Sequence, residues 1–362
     1  MTYKFLLYIS YSYALPIGSP LENEILKRGY EVRWFSDMED GRLALKDKTN
    51  VLSTISEVMA FNPDIVLTAT DSVPDFISGI KVQIFHGFNA EKRPEKGNDF
   101  AHFRIRGFFD LYCTQGPSTT IGFKKQQKKH PHFEVVETGW CKMDPLFPLQ
   151  KKAESQNKPT IMIASTFTER LSLAFREDVF EEIKRLSSSG NYQFLMVLHP
   201  KLPLEIKQKW RDLNSNHFEY IDTTDLIPLF KRADMMFADT TSAIQEFLLQ
   251  KKPVVTFNHT FNHNYLINIT EAKGIEPAFK EALSCPENLI ENISEYINQL
   301  HPYFDGKSSS RVLDACIDFL HKDKSHLKPK PLNLVRKFKM RKRLNYFTLK
   351  SYRKPYSKKR DA

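Results

Sequence analysis

The chain has 362 residues, 41% hydrophobic and 27% charged, which predicts a folded protein and excludes an intrinsically disordered one. At about 100–200 residues per domain, this length predicts two domains. The net charge is +10, but residues 322–362 hold 16 of the 53 Lys and Arg and only two acids, so the rest of the chain is mildly acidic. A basic segment of this kind implies a polyanionic partner, either nucleic acid or an anionic lipid surface.

The four cysteines and the apolar runs further narrow the class of protein that this sequence can encode. The cysteines lack the CxxC spacing of zinc and redox motifs, and scattered thiols of this kind are typical of a reducing cytoplasm. The apolar run 3–13 is too short and too poorly flanked for a signal peptide, and no run reaches the eighteen apolar residues of a membrane span. The cysteines are Cys113, Cys141, Cys285 and Cys316.

The first half of the chain alternates short apolar runs with helical patterns, which predicts βαβ units and a parallel sheet. A Pro/Gly/Ser loop is predicted over 15–20, between the first strand and a helix over 21–27. Strands are predicted at 5–10, 30–35, 64–68, 82–85, 111–114 and 134–138, and a further helix at 52–61.

A polar, aperiodic segment at 149–159 is interpreted as the linker to a second α/β domain. The boundaries predicted are 1–148 for the N-terminal domain, 160–321 for the C-terminal domain and 322–362 for a basic tail. In the second domain, strands are predicted at 160–164, 192–198, 217–221, 235–238 and 253–257. Helices are predicted at 175–187, 203–213, 226–231 and 242–249, with later ones beginning near Glu271, Pro286 and Arg311.

Two histidines directly follow predicted strands, where ligands bind in parallel α/β sheets. His86 precedes Gly87 at a turn, and an imidazole there is suited to deprotonate an acceptor hydroxyl near neutral pH. His199 precedes Pro200, which holds it in extended geometry and out of the next helix, so that it can donate to a pyrophosphate oxygen. Taken singly, each could also be a structural histidine at a turn or a helix start.

A polar segment follows the strand at 235–238 and begins a helix, which is the shape of an anion site. Its hydroxyls and backbone N–H groups could hold a diphosphate, and Glu246, one turn later, could accept from ribose hydroxyls. A plain helix cap is the simpler alternative. Ser165 and Thr166 follow the strand at 160–164 and could line the same site. The segment consists of Asp239, Thr240, Thr241 and Ser242.

These motifs, taken in order, resemble the CDP-glycerol glycerophosphotransferases of wall teichoic acid synthesis. The resemblance covers about residues 80–320. His86-Gly87 matches a His-Gly after a strand, and His199-Pro200 matches a His-Pro. Further counterparts of the family's motifs are the run 139–144, the segment 239–242 with Glu246, the Lys-Pro strand at 252–255, and the late stretch Asp305-Gly306-Lys307 with Arg311-Val312.

The resemblance implies an α/β fold of GT-B type, in which two Rossmann-like domains with parallel sheets face a central cleft. It implies metal-independent, inverting transfer from a CDP-activated donor such as CDP-glycerol, with no cofactor, to a lipid-linked or cell-surface glycan acceptor. His86 and His199 take the family's catalytic and phosphate-binding roles. Gly87 and Lys142 join the donor- or phosphate-binding set, and Lys142 stands where the family has arginine, so a fork-shaped contact becomes a point charge.

The tail suggests where such an enzyme works. Apolar residues lie among the basic residues of 322–362, so part of the tail can form a basic amphipathic helix on anionic lipid. A disordered tail is the alternative, and the acidic body disfavours nucleic acid. We therefore expect a peripheral enzyme at the cytoplasmic face of the plasma membrane, in cell-envelope or capsule synthesis. A UDP- or CMP-sugar glycosyltransferase or 2-epimerase, and a non-catalytic membrane- or nucleic-acid-binding protein, remain alternatives.

Overall fold

The protein is described from a computed structural model, in which residues 2–88, 102–149 and 158–347 are placed. The chain divides into two compact units. The first unit consists of residues 2–87, 102–148 and 300–347, and the second of Phe88, Leu149 and residues 158–299. Most of the predicted linker 149–159 lies outside the described residues.

The first unit is built on a six-stranded, wholly parallel sheet in the order β2-β1-β3-β4-β5-β6. The inner strands β3, β4 and β5 are buried at every residue, as expected of a parallel sheet covered on both faces. The strands are β1 Lys4–Ile9, β2 Glu31–Ser36, β3 Ile65–Thr68, β4 Ile80–Gln83, β5 Leu111–Thr114 and β6 Glu134–Glu137. The helices before the linker are α1 Leu15–Lys27, α2 Glu39–Ala44, α3 Ile55–Phe61 and α4 Pro117–Lys129.

The loop predicted over 15–20 is wrong, because these residues form the first turns of α1. Pro16 lies in the first turn, where its missing N–H has no intrahelical partner to lose. Gly18 faces the sheet so closely that a Cβ there would lie 2.4 Å from the Trp34 ring. The Pro/Gly pattern that resembles a loop therefore reflects a helix start and a close helix–sheet contact. Helices α2 and α4 were not predicted.

The chain returns to the first unit after residue 299, which differs from the predicted boundary at 321. Helix α11, Ser308–His321, packs beside α1 and β5 in this unit. Part of the predicted tail follows it, ending in helix α12, Leu334–Arg343, whose Met340 is buried in the core of the unit. The described part of the tail is thus folded, while residues 348–362 lie outside the described residues.

The second unit has its own six-stranded parallel sheet, in the order β12-β11-β10-β7-β8-β9. Its predicted strands are confirmed to within one residue at each end, and β12 was not predicted. The strands are β7 Thr160–Ser165, β8 Gln193–Leu198, β9 Phe218–Tyr220, β10 Met235–Ala238, β11 Val254–Phe257 and β12 Ile267–Ile269. The helices are α5 Glu177–Ser189, α6 Leu204–Arg211, α7 Ile227–Arg232, α8 Ala243–Leu248, α9 Ile275–Leu283 and α10 Glu287–Leu300.

None of the helices among the described residues is long and apolar enough to cross a membrane.

Candidate active site

In the first unit, His86 lies three residues beyond the end of β4, at the carboxyl edge of the sheet. Its ring is exposed, and Nδ1 lies 3.3 Å from the carbonyl oxygen of Ala69, which follows the neighbouring strand β3. Because a carbonyl only accepts, this contact places the imidazole proton on Nδ1 and leaves the lone pair on Nε2. That is the tautomer a general base requires.

Phe85, the residue before His86, has a φ of +58°, a left-handed conformation that is rare for a bulky side chain. The indole Nε1–H of Trp140 donates to the Phe85 carbonyl over 3.3 Å. The Phe85 ring is buried against Phe123, with ring centroids 5.0 Å apart, and near Tyr112. The packing therefore holds Phe85 in a strained backbone conformation, and this conformation determines the direction in which His86 points. The sequence carried no signal for this strain.

Three further groups lie close to His86. The amide of buried Gln115, just after β5, donates to the Gly87 carbonyl over 3.1 Å, so Gly87 acts through its backbone. The exposed rings of Tyr11 and Tyr13 stack on each other, and the ring centroids of Tyr13 and His86 are 5.8 Å apart. Burial lowers the pKa of nearby His102 to about 4, so His102 is neutral at neutral pH.

Lys142 lies in a buried 3-10 helix, Cys141–Leu146, with its ammonium 5.2 Å from the centre of the Trp140 ring. Lys142 and Gly87 belong to the first unit, whereas the other residues predicted to bind the donor belong to the second. Lys142 is buried to 8% exposure, so an anion would reach it only through a change in the surrounding packing.

The run 139–144 meets the late stretch 305–312, and we name these contacts the return bracket. Asp144 accepts from the first N–H groups of α11, those of Ser308 and Ser309, over 2.8 and 2.7 Å. Trp140 N–H donates to His301 Nε2 over 2.9 Å. Gly139 has a φ of +78°, and a Cβ there would lie 2.4 Å from Ser308 Oγ.

Arg311 completes the return bracket. It donates to the Thr138 carbonyl over 2.8 Å, makes a two-pronged ion pair with Asp305, and stacks on the Tyr303 ring. Two motifs about 165 residues apart in sequence are thus joined within one unit. Their observed role is structural, holding α11 against the first sheet.

In the second unit, the predicted residues meet at the carboxyl ends of three adjacent strands, β8, β7 and β10. The centre of this cluster is Asp239, which is fully buried. Its carboxylate accepts from Ser165 Oγ at 2.5 Å, Thr166 N at 2.9 Å and Leu173 N at 3.0 Å. Ser172 Oγ lies 2.7 Å from Ser165 Oγ and extends the network. Asp239 therefore orients the loop 165–174 and acts on any ligand through that loop.

Thr240 ties the same edge to the loop after β11. Its hydroxyl is 3.0 Å from that of Thr260 and accepts from Thr260 N–H at 3.2 Å. Thr241 and Ser242 are only half-buried, and the Ser242 hydroxyl makes no cap hydrogen bond to α8. Thr241 Oγ1 accepts a long bond of 3.5 Å from Ala243 N–H. The predicted hydroxyl cap is thus weak.

Glu246 is buried to 5% exposure within α8, one turn beyond Ser242. A ribose contact from its carboxylate, as the sequence predicts, would need this helix to expose it. The half-buried hydroxyls of Thr241 and Ser242 are thus the accessible side chains of the segment.

His199 follows β8 and contacts the Phe167 ring, with ring centroids 4.6 Å apart. Its Nδ1 accepts from the Lys201 N–H over 3.1 Å, which places the proton of the neutral ring on Nε2. His199 therefore presents a donor, the reverse of His86. Phe167 belongs to the loop that Asp239 orients, so the buried carboxylate and the half-buried imidazole are linked through one aromatic contact.

Within residues 2–88, 102–149 and 158–347, no group of three or more His, Cys, Asp or Glu side chains is arranged to hold a metal ion.

Solved structures share this architecture. A variant of the wall teichoic acid polymerase TagF, soaked with CDPG, has a TM-score of 0.61 and 12% identity over 87% of this chain and 88% of that one. The UDP-GlcNAc 2-epimerase from Neisseria meningitidis, bound to UDP-GlcNAc, has a TM-score of 0.57 and 14% identity over 87% and 100%. The S. aureus protein MnaA with UDP has a TM-score of 0.58 and 16% identity over 88% and 97%.

No family model matches the chain, and no curated protein matches its sequence. The two parallel six-stranded sheets and these neighbours define an α/β fold of GT-B type, as the sequence predicts.

Proposed function

We propose that this protein is a nucleotide-dependent transferase that moves glycerol phosphate, or a related polyol-phosphate or sugar unit, from a CDP-activated donor to a lipid-linked or cell-surface glycan acceptor. The observation that carries the proposal is the pair of opposite contacts made by the Nδ1 atoms of the two histidines. His86 Nδ1 contacts a backbone carbonyl and His199 Nδ1 contacts a backbone N–H, so one ring offers a base and the other a proton donor.

The chemistry follows from these two groups. His86 Nε2 takes the proton of the acceptor hydroxyl, whose oxygen attacks the donor's β-phosphorus. A new P–O bond forms, the bond to the bridging pyrophosphate oxygen breaks, and CMP leaves with that electron pair. His199 Nε2–H, with the hydroxyls of Thr241 and Ser242, donates to the phosphate oxygens and stabilises the developing charge. Asp239 and Phe167 position His199 and touch no reacting atom.

The fold similarity supports a nucleotide-activated donor but does not distinguish a cytidine nucleotide from a uridine nucleotide. The neighbours are described with CDPG, UDP and UDP-GlcNAc. A UDP-sugar 2-epimerase is therefore the second candidate, favoured by the matches to structures of that activity. An epimerase would turn over a nucleotide sugar with no acceptor present, whereas the transferase needs one.

Nucleotide release tests the proposal directly. Purified protein is incubated with CDP- and UDP-linked compounds, with and without a membrane extract as acceptor. The transferase predicts acceptor-dependent release of CMP from CDP-glycerol, and loss of that release in His86→Ala and in His199→Ala. Release of CDP or UDP would instead indicate sugar transfer.

The matched control is His326→Ala, an exposed histidine that pairs with Glu134 in the first unit and should leave activity unchanged. Failure to bind any of these nucleotides would contradict the proposal.

We also propose a peripheral location at the cytoplasmic face of the plasma membrane. Support comes from the basic residues of 322–362, because an enzyme with a lipid-linked acceptor must work at a bilayer surface.

A further inference from the structure

Helix α12 is held on the first unit by one face, the inward face. Met340 is buried to 4% exposure in the core of the unit. Arg341 pairs with the buried Asp75 over 2.8 Å, and Lys337 lies 3.9 Å from the same carboxylate. The spacing 337, 340 and 341 is that of one helical face. These two basic side chains share one buried carboxylate and are only 12% and 11% exposed, so they face the protein rather than an outside partner.

The opposite, outward face of α12 is apolar and exposed. Leu334 and Val335 are each 68% exposed and Phe338 is 58% exposed. Two neighbouring side chains extend the patch, Leu332 at 51% and Phe347 at 61%. The segment 332–347 thus holds five of the thirteen large hydrophobic side chains that are exposed among the described residues. An apolar cluster this concentrated marks a binding surface.

Basic residues border this patch. Arg336, Lys339 and Lys342 are exposed on α12, next to the apolar side chains. No acid occurs between residues 324 and 360, so this face has no negative charge of its own. The tail therefore carries two sets of basic residues, one held against the buried carboxylate of Asp75 and one facing outward.

We propose that the outward face of α12 binds the surface of an anionic bilayer, with Leu334, Val335 and Phe338 inserted and Lys339 and Lys342 at the lipid headgroups. An aliphatic and aromatic strip beside basic residues is the pattern of interfacial helices. Nucleic acid would match the charges but leave the apolar strip uncovered. A second copy would place two positive faces together. Lipid phosphates complement the charge, and acyl chains complement the strip.

The placement of α12 connects this surface to the proposed acceptor side, a step that depends on the proposed function. Arg343, at the end of the helix, forms an ion pair with Asp37, which follows β2. Asp37 lies at the carboxyl edge of the first sheet, the edge that also holds His86. A bilayer bound by α12 would therefore adjoin the edge at which a lipid-linked acceptor must meet its base.

Vesicle binding tests this surface without any nucleotide, so its outcome is independent of the proposed transfer reaction, which nucleotide release tests separately. The full chain is mixed with vesicles of phosphatidylglycerol and phosphatidylcholine in equal parts, and with phosphatidylcholine alone, and bound protein is sedimented. We expect binding only to the anionic vesicles, weakened by salt. Lys339→Glu with Lys342→Glu should weaken binding about 25-fold or more, since each basic residue near the surface contributes about fivefold.

The apolar strip is tested by the triple variant Leu334→Ser, Val335→Ser and Phe338→Ser, for which we expect at least about a tenfold loss. Leu204→Ser, at a leucine 71% exposed in the second unit, is its control. Lys124→Glu with Lys128→Glu, on the exposed face of α4, is the control for charge. All these positions are exposed, so the melting temperature should stay unchanged.

Three results would overturn the proposal. Equal loss of binding in the α4 and α12 charge variants would show a diffuse attraction rather than a defined face. Unchanged binding in the serine variant would exclude insertion. Capture of DNA or RNA in preference to anionic vesicles, or a dimer dispersed by the serine variant, would assign the face to a different partner.

Discussion

At the residue scale, Phe85 determines how His86 is presented. Its φ of +58° costs about 1–3 kcal/mol for a side chain of this size. The Trp140 indole holds the Phe85 carbonyl, and the aromatic cluster holds the ring. Such strain persists only where the surroundings impose it, and it is concentrated at functional sites. The orientation of His86, the base in the proposed reaction, is therefore set by the backbone of Phe85 and not by the packing of the His86 ring.

Trp140→Phe keeps an aromatic ring at this position but removes the indole N–H that donates to the Phe85 carbonyl. We expect a loss of about 1–2 kcal/mol in the free energy of unfolding, together with a fall in kcat. Trp34→Phe, which removes a comparable bond to Glu22 in the same unit, should cost similar stability and leave kcat unchanged. Urea unfolding and initial rates separate the two effects, and equal kcat for the two variants would contradict the positioning role.

The two histidines should also respond differently to glutamine. A glutamine amide can donate, as His199 Nε2–H does, but it cannot act as a base, as His86 does. We expect His199→Gln to retain more activity than His199→Ala, and His86→Gln to be as poor as His86→Ala, about 10²–10⁴-fold below wild type. Single-turnover CMP release measures this. Equal retention in both glutamine variants would refute the assigned tautomers.

At the scale of the element, the loops after β7 and β10 form one buried polar scaffold. The Asp239 carboxylate accepts from a hydroxyl and two backbone N–H groups, all within the protein. A buried carboxylate held by three donors is a rigid support, because movement that breaks one of these bonds leaves a buried oxygen without a donor and incurs its desolvation penalty. Sequence reasoning put Asp239 among the ligand-binding residues, and the structure gives it a positioning role.

Asp239→Asn places an N–H donor against groups that themselves donate. We expect a loss of about 3 kcal/mol in the free energy of unfolding, and lower affinity for the nucleotide donor. Asp178→Asn is the control, since Asp178 makes an exposed ion pair with Arg176 and should change stability by less than about 1 kcal/mol. Chemical denaturation and donor titration check both, and a stable Asp239→Asn protein would remove the scaffold interpretation.

At the scale of the whole molecule, the first unit is completed by the end of the chain. The return bracket and α12 bring residues 300–347 onto a sheet built from residues 4–137. This unit also encloses three histidines whose pKa burial lowers to about 4, namely His102, His132 and His301. In the folded protein each of them stays neutral until the pH falls to about 4. In the unfolded chain each takes up a proton as the pH falls through about 6.5.

The sign of the resulting pH dependence follows. Stability is fully present above pH 6.5 and falls as the pH drops from 6.5 toward 4, by up to about 1.4 kcal/mol per pH unit for each histidine. In His301→Gln the new side chain can still accept from Trp140 N–H. This variant should take up one proton fewer on unfolding, and the dependence of stability on pH should be correspondingly less steep. Exposed His326→Gln should not. Urea midpoints between pH 4.5 and 7.5 measure this, and an unchanged slope in His301→Gln would exclude the buried histidine as its source.

The sequence by itself determined the alternation of strands and helices, the parallel sheets and the positions of His86, His199 and the segment 239–242. These depend on local apolar runs and on residues that directly follow them, which the order of residues contains. It did not determine the first turns of α1, because Pro16 and Gly18 have the composition of a loop, and the close contact of Gly18 with Trp34 is a property of the packed chain.

Only the tertiary structure decided which predicted residues face solvent and which support them. Contacts across 70 or more residues bury Asp239 under the loop after β7, join Asp144 to α11 and divide the basic tail into paired and exposed charges. Burial and hydrogen-bond direction are properties of the packed chain. For that reason a motif identifies a position in the sequence, while its physical role is set by the residues that the fold places around it.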